Sequence, residues 1–414
     1  MKKKLLVVGA LSLAAFTAVG VAATMATSGS ILFADTSTSS KHLWMHYAKK
    51  AATKTEKGIR EYWANCNTHE IVYEKPVATD IGESTTYDTT GFATDDARWI
   101  YNVTLDAKEV VMTDATKAFD LGTDYSGATI TSMKAGAISL GTNASALDVS
   151  GFAEDHSDDG VKSVEVELNK DGKCYTLFFD TTFVTAYLYD NATSFNVIKP
   201  MHATTTDHNI NGYYKLAENI SLNTFNGKAS DGTGGTNWGW FSGWLETGKY
   251  TFKGTLDGNG KTINGQSTYN GFLNQLDGAT IKNLTMTEAY WREGGGDYSL
   301  LAGSMQNTTL TDVTIKITGG SKAATFAPDL TKAEGFISRQ RFMSNTLTNV
   351  NIDASEWNIA IVFAAKNGND NTFTGCSLKV KSYGYLWNHY KKGQLTTYDG
   401  LTITGNLYTA SSES

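Results

Sequence analysis

Four gap-free segments in the C-terminal half of the chain constrain its fold more than any other feature. They read Ala279-Thr-Ile281-Lys-Asn-Leu284-Thr-Met286, Thr308-Thr-Leu310-Thr-Asp-Val313-Thr-Ile315, Asn345-Thr-Leu347-Thr-Asn-Val350-Asn-Ile352 and Asn371-Thr-Phe373-Thr-Gly-Cys376-Ser-Leu378. The apolar residue at the third place (Ile281, Leu310, Leu347, Phe373) recurs after 29, 37 and 26 residues, and periods of this size mark repeat architectures. Within each copy apolar and polar residues largely alternate, which is the period of a strand. Strands stacked in register lie about 4.8 Å apart, so matched apolar residues of successive turns pile into one continuous interior. Thr255-Leu256-Asp-Gly-Asn-Gly-Lys-Thr-Ile263 precedes the four as a looser copy, and Gly400-Leu-Thr-Ile-Thr follows them. A second apolar strand is expected ahead of each copy, at Gly271-Phe-Leu, Ser299-Leu-Leu, Gly335-Phe-Ile and Ile361-Val-Phe.

The expected architecture over residues 194–414 is a right-handed parallel β-helix, a solenoid. Cys376 occupies the place held by Leu284, Val313 and Val350, so it is expected in the core. Asn283, Asp312 and Asn349, at the fifth place, fit a bend, because Asn and Asp tolerate unusual backbone angles. An open solenoid end exposes strand edges, and Trp238-Gly-Trp240-Phe-Ser-Gly-Trp244 is a candidate cover for the N-terminal one.

The start of the chain points to export. Lys2, Lys3 and Lys4 precede an apolar Ala/Gly-rich run, Leu5 to Ala26, and the next charge is Asp35. Residues 1–34 are read as a secretory signal peptide. An uncleaved anchor of roughly 20 residues is the competing reading. Cleavage leaves no membrane span, and the expected location is extracellular, secreted or cell-wall associated. The net charge of −7, with no basic block after the signal, argues against nucleic acid as a partner. Three widely spaced cysteines, Cys66, Cys174 and Cys376, do not make a disulfide framework.

Residues 35–78 are expected to form a small β module around Trp44, Tyr62 and Trp63. His42, His46, Cys66 and His69 have the ligand types of a zinc site, but the long central gap fits no standard finger. Residues 79–193 carry short alternating strands, among them Val164-Glu-Val-Glu-Leu and Cys174-Tyr-Thr-Leu-Phe-Phe. The Asp171-Gly172 pair between these two is a hairpin signal, and the pattern predicts an antiparallel β-sandwich. Cys174 is expected as a small core residue. The acidic loop from Glu154 to Gly160 has oxygen ligands suited to calcium, and is equally a solvated connection. The fold class is therefore all-β throughout.

The stretch Gly212-Tyr-Tyr-Lys-Leu, then Gly254-Thr-Leu-Asp-Gly-Asn-Gly-Lys-Thr-Ile, then Gly271-Phe-Leu resembles the β-helices of GLUG-type exported surface proteins of Gram-positive bacteria. The likeness covers roughly residues 212–290. The segment ahead of it is similar in strand order to bacterial immunoglobulin-like domains. The first module resembles a short surface-protein repeat with an initial His, a Tyr-Trp pair and closing cysteines, although Lys54 stands where that repeat has a Cys. The resemblance implies an exported stalk or accessory region, and implies location and shape more than chemistry.

Glycoside hydrolysis needs two carboxylates across a groove, and the best local cluster is Glu288, Glu293 and Asp297 with Arg339. Tyr290, Trp291, Trp357, Trp387 and Tyr390 are candidates for a sugar-stacking surface. No nucleophile elbow or phosphate loop occurs. The expected function is non-catalytic: a β-helical surface for adhesion, binding a surface glycan or a host protein. A polysaccharide lyase or glycoside hydrolase on the β-helix is one alternative, argued from fold analogy, and a structural spacer is the other. No cofactor is expected, zinc and calcium being the only metals whose ligand types are grouped.

Overall fold

The computed structural model describes residues 42–191, 194, 208–221, 250–266, 273–291, 301–316, 319–320, 341–364, 370–387 and 400–407. The expected signal peptide and the Trp238–Trp244 cover lie outside them. Among the described residues every regular element is a strand except one 3-10 turn, Thr123–Tyr125. No helix there is long and apolar enough to cross a membrane. The chain divides into two compact units, Met1–Tyr101 and Asn102–Ser414.

In the first unit, strand Trp44–Tyr47 pairs antiparallel with Tyr62–Asn65, which pairs antiparallel with Ile71–Val72. On its other side Trp44–Tyr47 pairs in parallel with Ile81–Ser84, so this sheet takes in residues beyond 78. Tyr47, Ile59, Tyr62 and Ala64 form the buried core, with Phe92 and Trp99 against it. The Tyr47 and Tyr62 rings stack at 4.5 Å. Arg98 is buried by pairing both its forks to Asp96, at 2.9 and 2.7 Å, with its guanidinium over the Phe92 ring.

The second unit begins with an antiparallel sheet. Strands Gly160–Lys170 and Lys173–Val184 form the predicted hairpin. Asp171 and Gly172 both sit at positive φ, 51° and 75°, as a two-residue turn of the I′ kind requires. Thr129–Ala135 adds to the sheet antiparallel, and Lys108–Val111 in parallel. Alternation puts Val164, Val166 and Leu168 into a core with Leu177, Phe179 and Phe183. Cys174 is only partly buried, unlike the core position expected. It faces Asn169 across the strand pair, one residue from the turn, with Sγ 2.8 Å from Asn169 Oδ1.

From Ala186 onward every recorded pairing is parallel. One sheet runs through Ala186–Leu188, Tyr213–Leu216, Thr255–Asp257, Thr280–Trp291, Thr309–Lys316, Asn351–Ala364, Cys376–Trp387 and Leu401–Leu407, with shorter strands beside this path. A second sheet runs through His208–Ile210, Tyr250–Phe252, Leu273–Asp277, Ala302–Gln306 and Phe342–Met343. Registers match the sequence alignment: Leu256 pairs with Ile281, Ile281 with Leu310, Leu310 with Leu347, and Leu347 with Phe373. Leu284, Val313, Val350 and Cys376 are 1, 0, 2 and 3% exposed and share one buried cluster with both sheets. The column of matched residues therefore exists as expected.

Each turn of this region carries two residues in the left-handed backbone region. One precedes the first place of the repeat: Gly278, Asn307, Ser344 and Asp370. The other is the fifth place: Asn283, Asp312, Asn349 and Gly375. At the fifth place the bend falls inside a strand at Asn283 and Asp312 and between two strands at Asn349 and Gly375, and the Asn and Asp side chains offset a conformation that costs other L-residues about 1–2 kcal/mol. Ahead of Thr346 the described strand is Phe342–Met343, and the expected Gly335-Phe-Ile lies outside the described residues. Ile361-Val-Phe belongs to the long strand Asn351–Ala364, with Ile361 opposite Tyr385.

Candidate functional site

Equivalent outward places of the larger parallel sheet line up as well as the inward ones do. One column runs Tyr213, Thr255, Thr280, Thr309, Thr346, Thr372. The next runs Tyr187, Lys215, Asp257, Lys282, Thr311, Thr348, Thr374. Neighbours within a column are about 4.8 Å apart and the two columns about 6.6 Å apart, from strand spacing and rise. The face is thus charged at its N-terminal end and lined with neutral hydroxyls beyond it.

The charged end is closely bonded. Glu109, from strand Lys108–Val111, accepts from Tyr187 Oη and, at 2.6 Å, from Lys215 Nζ. Asp257 Oδ2 accepts from Tyr213 Oη at 2.5 Å and lies 3.6 Å from Lys282 Nζ. Asp257 Oδ1 accepts from the Asn259 amide at 2.9 Å and from Asn283 Nδ2 at 3.0 Å. Burial pushes the Asp257 carboxyl up, but these donors and Lys282 outweigh it and hold the group below its ordinary value. Burial first, then the carboxylate beside each, pushes the Tyr187 and Tyr213 phenols above theirs. Asp257 stays an anion with its acceptor sites occupied, and the phenols stay neutral. This arrangement ties the first parallel strands together. Gly258, in the Asp-Gly-Asn-Gly turn, leaves room for the next strand, since a Cβ there would come within 2.4 Å of the Asn283 carbonyl.

Of the residues singled out from the sequence, Glu293, Asp297, Arg339 and Tyr390 lie outside the described residues. Glu288, Tyr290 and Trp291 occupy the end of strand Thr280–Trp291, where Trp291 pairs with Gly320. Trp357 lies on Asn351–Ala364, and Trp387 closes Cys376–Trp387 opposite Ala364. The backbone places these aromatic residues on parallel strands of one sheet, beyond the shared threonine columns, but pairs none of them with another.

The four zinc-type residues are not gathered. His42 Nδ1 bonds the Asp80 carboxylate. His46 uses both ring nitrogens, Nδ1 at 2.5 Å from Glu83 and Nε2 at 2.8 Å from Glu61. His69 is exposed at φ 63° on the turn after Asn65, and Cys66 is half-buried. Among the described residues no three His, Cys, Asp or Glu side chains converge to hold a metal. In the acidic loop the carboxylates bond mainly within the loop and to neighbouring strands. Asp158 accepts from the Ala153 amide, Asp155 from Ser157 and Asn211, and Asp159 from Thr185 and His156. Burial pushes the Asp159 carboxyl up.

Sequence reasoning passed over the cluster of Glu109, Tyr187, Lys215, Tyr213 and Asp257. The only local signal was the Asp-Gly-Asn-Gly turn. No protein-family model, curated protein or solved structure matches the chain.

Proposed function

We propose that this is an exported, non-catalytic protein that presents the outer face of a right-handed parallel β-helix to a surface glycan or host protein. In this reading residues 194–414 are the solenoid. The antiparallel sheet ahead of it is an immunoglobulin-like domain, and the first unit is a small accessory module. The observation that carries the reading is the pair of outward threonine columns. Thr309, Thr311, Thr346, Thr348, Thr372 and Thr374 repeat one hydroxyl and one methyl in two directions, over a face whose charges are paired among themselves at one end. Such a regular neutral face suits an extended, hydroxyl-rich polymer, with Tyr290, Trp291, Trp357, Trp387 and Tyr390 as stacking candidates.

Threonine is also a good strand former, so the test must separate a binding face from a scaffold. The secreted chain is applied to a glycan array and, in parallel, to a reducing-sugar release assay. Binding without release, lost when Thr311, Thr348 and Thr374 are changed together to valine, supports the proposal. Valine keeps strand propensity and volume, so folding is retained. Release of sugar establishes a polysaccharide-active enzyme instead. Silence in both assays, and against host surface proteins, leaves a spacer.

A further inference from the structure

We propose that His46 forms a proton-operated latch that closes strand Ile81–Ser84 onto strand Trp44–Tyr47. A neutral imidazole has one N–H, and the imidazolium has two. Both ring nitrogens of His46 stand at carboxylate oxygens, Glu83 on one side and Glu61 on the other. A neutral ring would turn its lone pair toward one of them. Only the protonated ring donates to both.

Topology gives this charge its leverage. Strand Trp44–Tyr47 lies between Tyr62–Asn65 and Ile81–Ser84 in the sheet. Glu61 immediately precedes the first neighbour, and Glu83 lies on the second, directly opposite His46. The cation therefore sits on the middle strand and bridges to both flanks. Its ring stacks on Trp63 at 4.8 Å and 17°, and its side chain is only 16% exposed. His42 adds a second bridge to the same strand through Asp80. Gly82 makes room for it, because a Cβ there would approach the His42 ring to 2.6 Å and Met45 Sδ to 2.7 Å. The pairing that these bridges fasten is short, with four registered residues on each strand. The charged groups facing the two rings are Glu61, Glu83 and Asp80, all of one sign.

Burial lowers the affinity of His46 for a proton, and the hydrogen bonds and charges of Glu61 and Glu83 more than restore it, so it titrates above its ordinary value. A histidine whose folded value is raised stabilises the closed pair fully below about pH 6.5, its unfolded value. That contribution is lost as pH rises through the folded value. The latch thus holds in mildly acidic surroundings and loosens in alkaline ones. Because Glu83 is largely exposed, salt weakens it.

The full chain, labelled with ¹³C at histidine, is titrated by NMR between about pH 5 and pH 8. Amide exchange of residues 44–47 and 81–84 is followed over the same range and corrected for the intrinsic rate. The expected result is a His46 midpoint above 6.5, with protection of both strands falling as pH passes that midpoint. His46→Gln and Glu83→Gln should abolish this dependence while strands Gly160–Lys170 and Lys173–Val184 keep theirs. A His46 midpoint at or below that of a free histidine overturns the proposal. So does a pH dependence that survives in both variants. If a variant fails to fold, the midpoint in the unaltered chain still decides.

Discussion

Replacing Asn345 with leucine tests the stacking of successive turns at a single atom. Asn345 is 1% exposed and holds the first place of the third repeat. Its Oδ1 accepts from the Thr308 amide at 3.0 Å, one turn below. Its Nδ2 donates to the Met305 carbonyl at 3.3 Å and to Asn371 Oδ1 at 3.0 Å, one turn above. Asn371 continues the line by donating to the Phe342 carbonyl at 2.8 Å. Leucine has nearly the same volume but no polar atoms, so it leaves the Thr308 N–H and the Met305 C=O without these partners in a dry interior. Each such group costs about 1–3 kcal/mol, which makes about 2–6 kcal/mol in all. At about 1.4 kcal/mol per decade, the Thr308 amide should exchange at least tenfold faster, and the urea midpoint of the parallel sheets should fall. Asn345→Thr should cost less, since Thr308 itself fills that place one turn earlier and turns its hydroxyl to the Gln306 carbonyl at 2.8 Å. If Asn345→Leu changed neither the midpoint nor the exchange of Thr308, the turns would not be joined through this column, and the stacked reading would fail.

Cys376 is buried whereas Cys66 and Cys174 are partly exposed, so a thiol reagent should label it only on unfolding, as peptide mapping of the labelled chain will tell. Tyr213→Phe removes the 2.5 Å donor to Asp257 and should cost about 1.5–3 kcal/mol at neutral pH, as hydrogen bonds to charged groups do. Because the Asp257 carboxyl is held low, its stabilisation is present above the unfolded value and lost as pH falls through the folded one. The gap between the variant and the parent should therefore close at acid pH in urea melts. Asn349→Val forces a β-branched residue to φ 52° and should cost about 1–2 kcal/mol, while Asn349→Gly should not, as thermal melts of the pair will decide.

What was legible in the sequence was the part that repeats. Ile281, Leu310, Leu347 and Phe373 hold one place because each caps the one below, so identity of residue reports identity of position. The bends at Asn283, Asp312 and Asn349 were readable for the same reason, as was the Asp171-Gly172 hairpin, whose turn chemistry is local. The buried Asn345–Asn371 line stood in the aligned segments, yet an asparagine at a repeat edge looks like any loop residue until its partner is placed. The Glu109 cluster could not be read at all. Its partners Tyr187 and Lys215 lie 78 and 106 residues away in the chain, and no local pattern announces such a meeting.

The same logic separates scaffold from site on the parallel sheet. An inward place must be apolar in every turn, so its residue type carries information about packing and none about ligands. An outward place is free to vary among strand formers, and across the last turns it does not: Thr309, Thr346 and Thr372 hold one column, and Thr311, Thr348 and Thr374 the other. Past a third neutral column, Thr285, Thr314, Asn351 and Ser377, the outward places change sign. Lys316 is followed by Asp353 and then Lys379, with Asp353 and Lys379 paired at 3.8 Å. The threonine strip is thus a uniform neutral surface, and it is there that the proposed binding is to be tested.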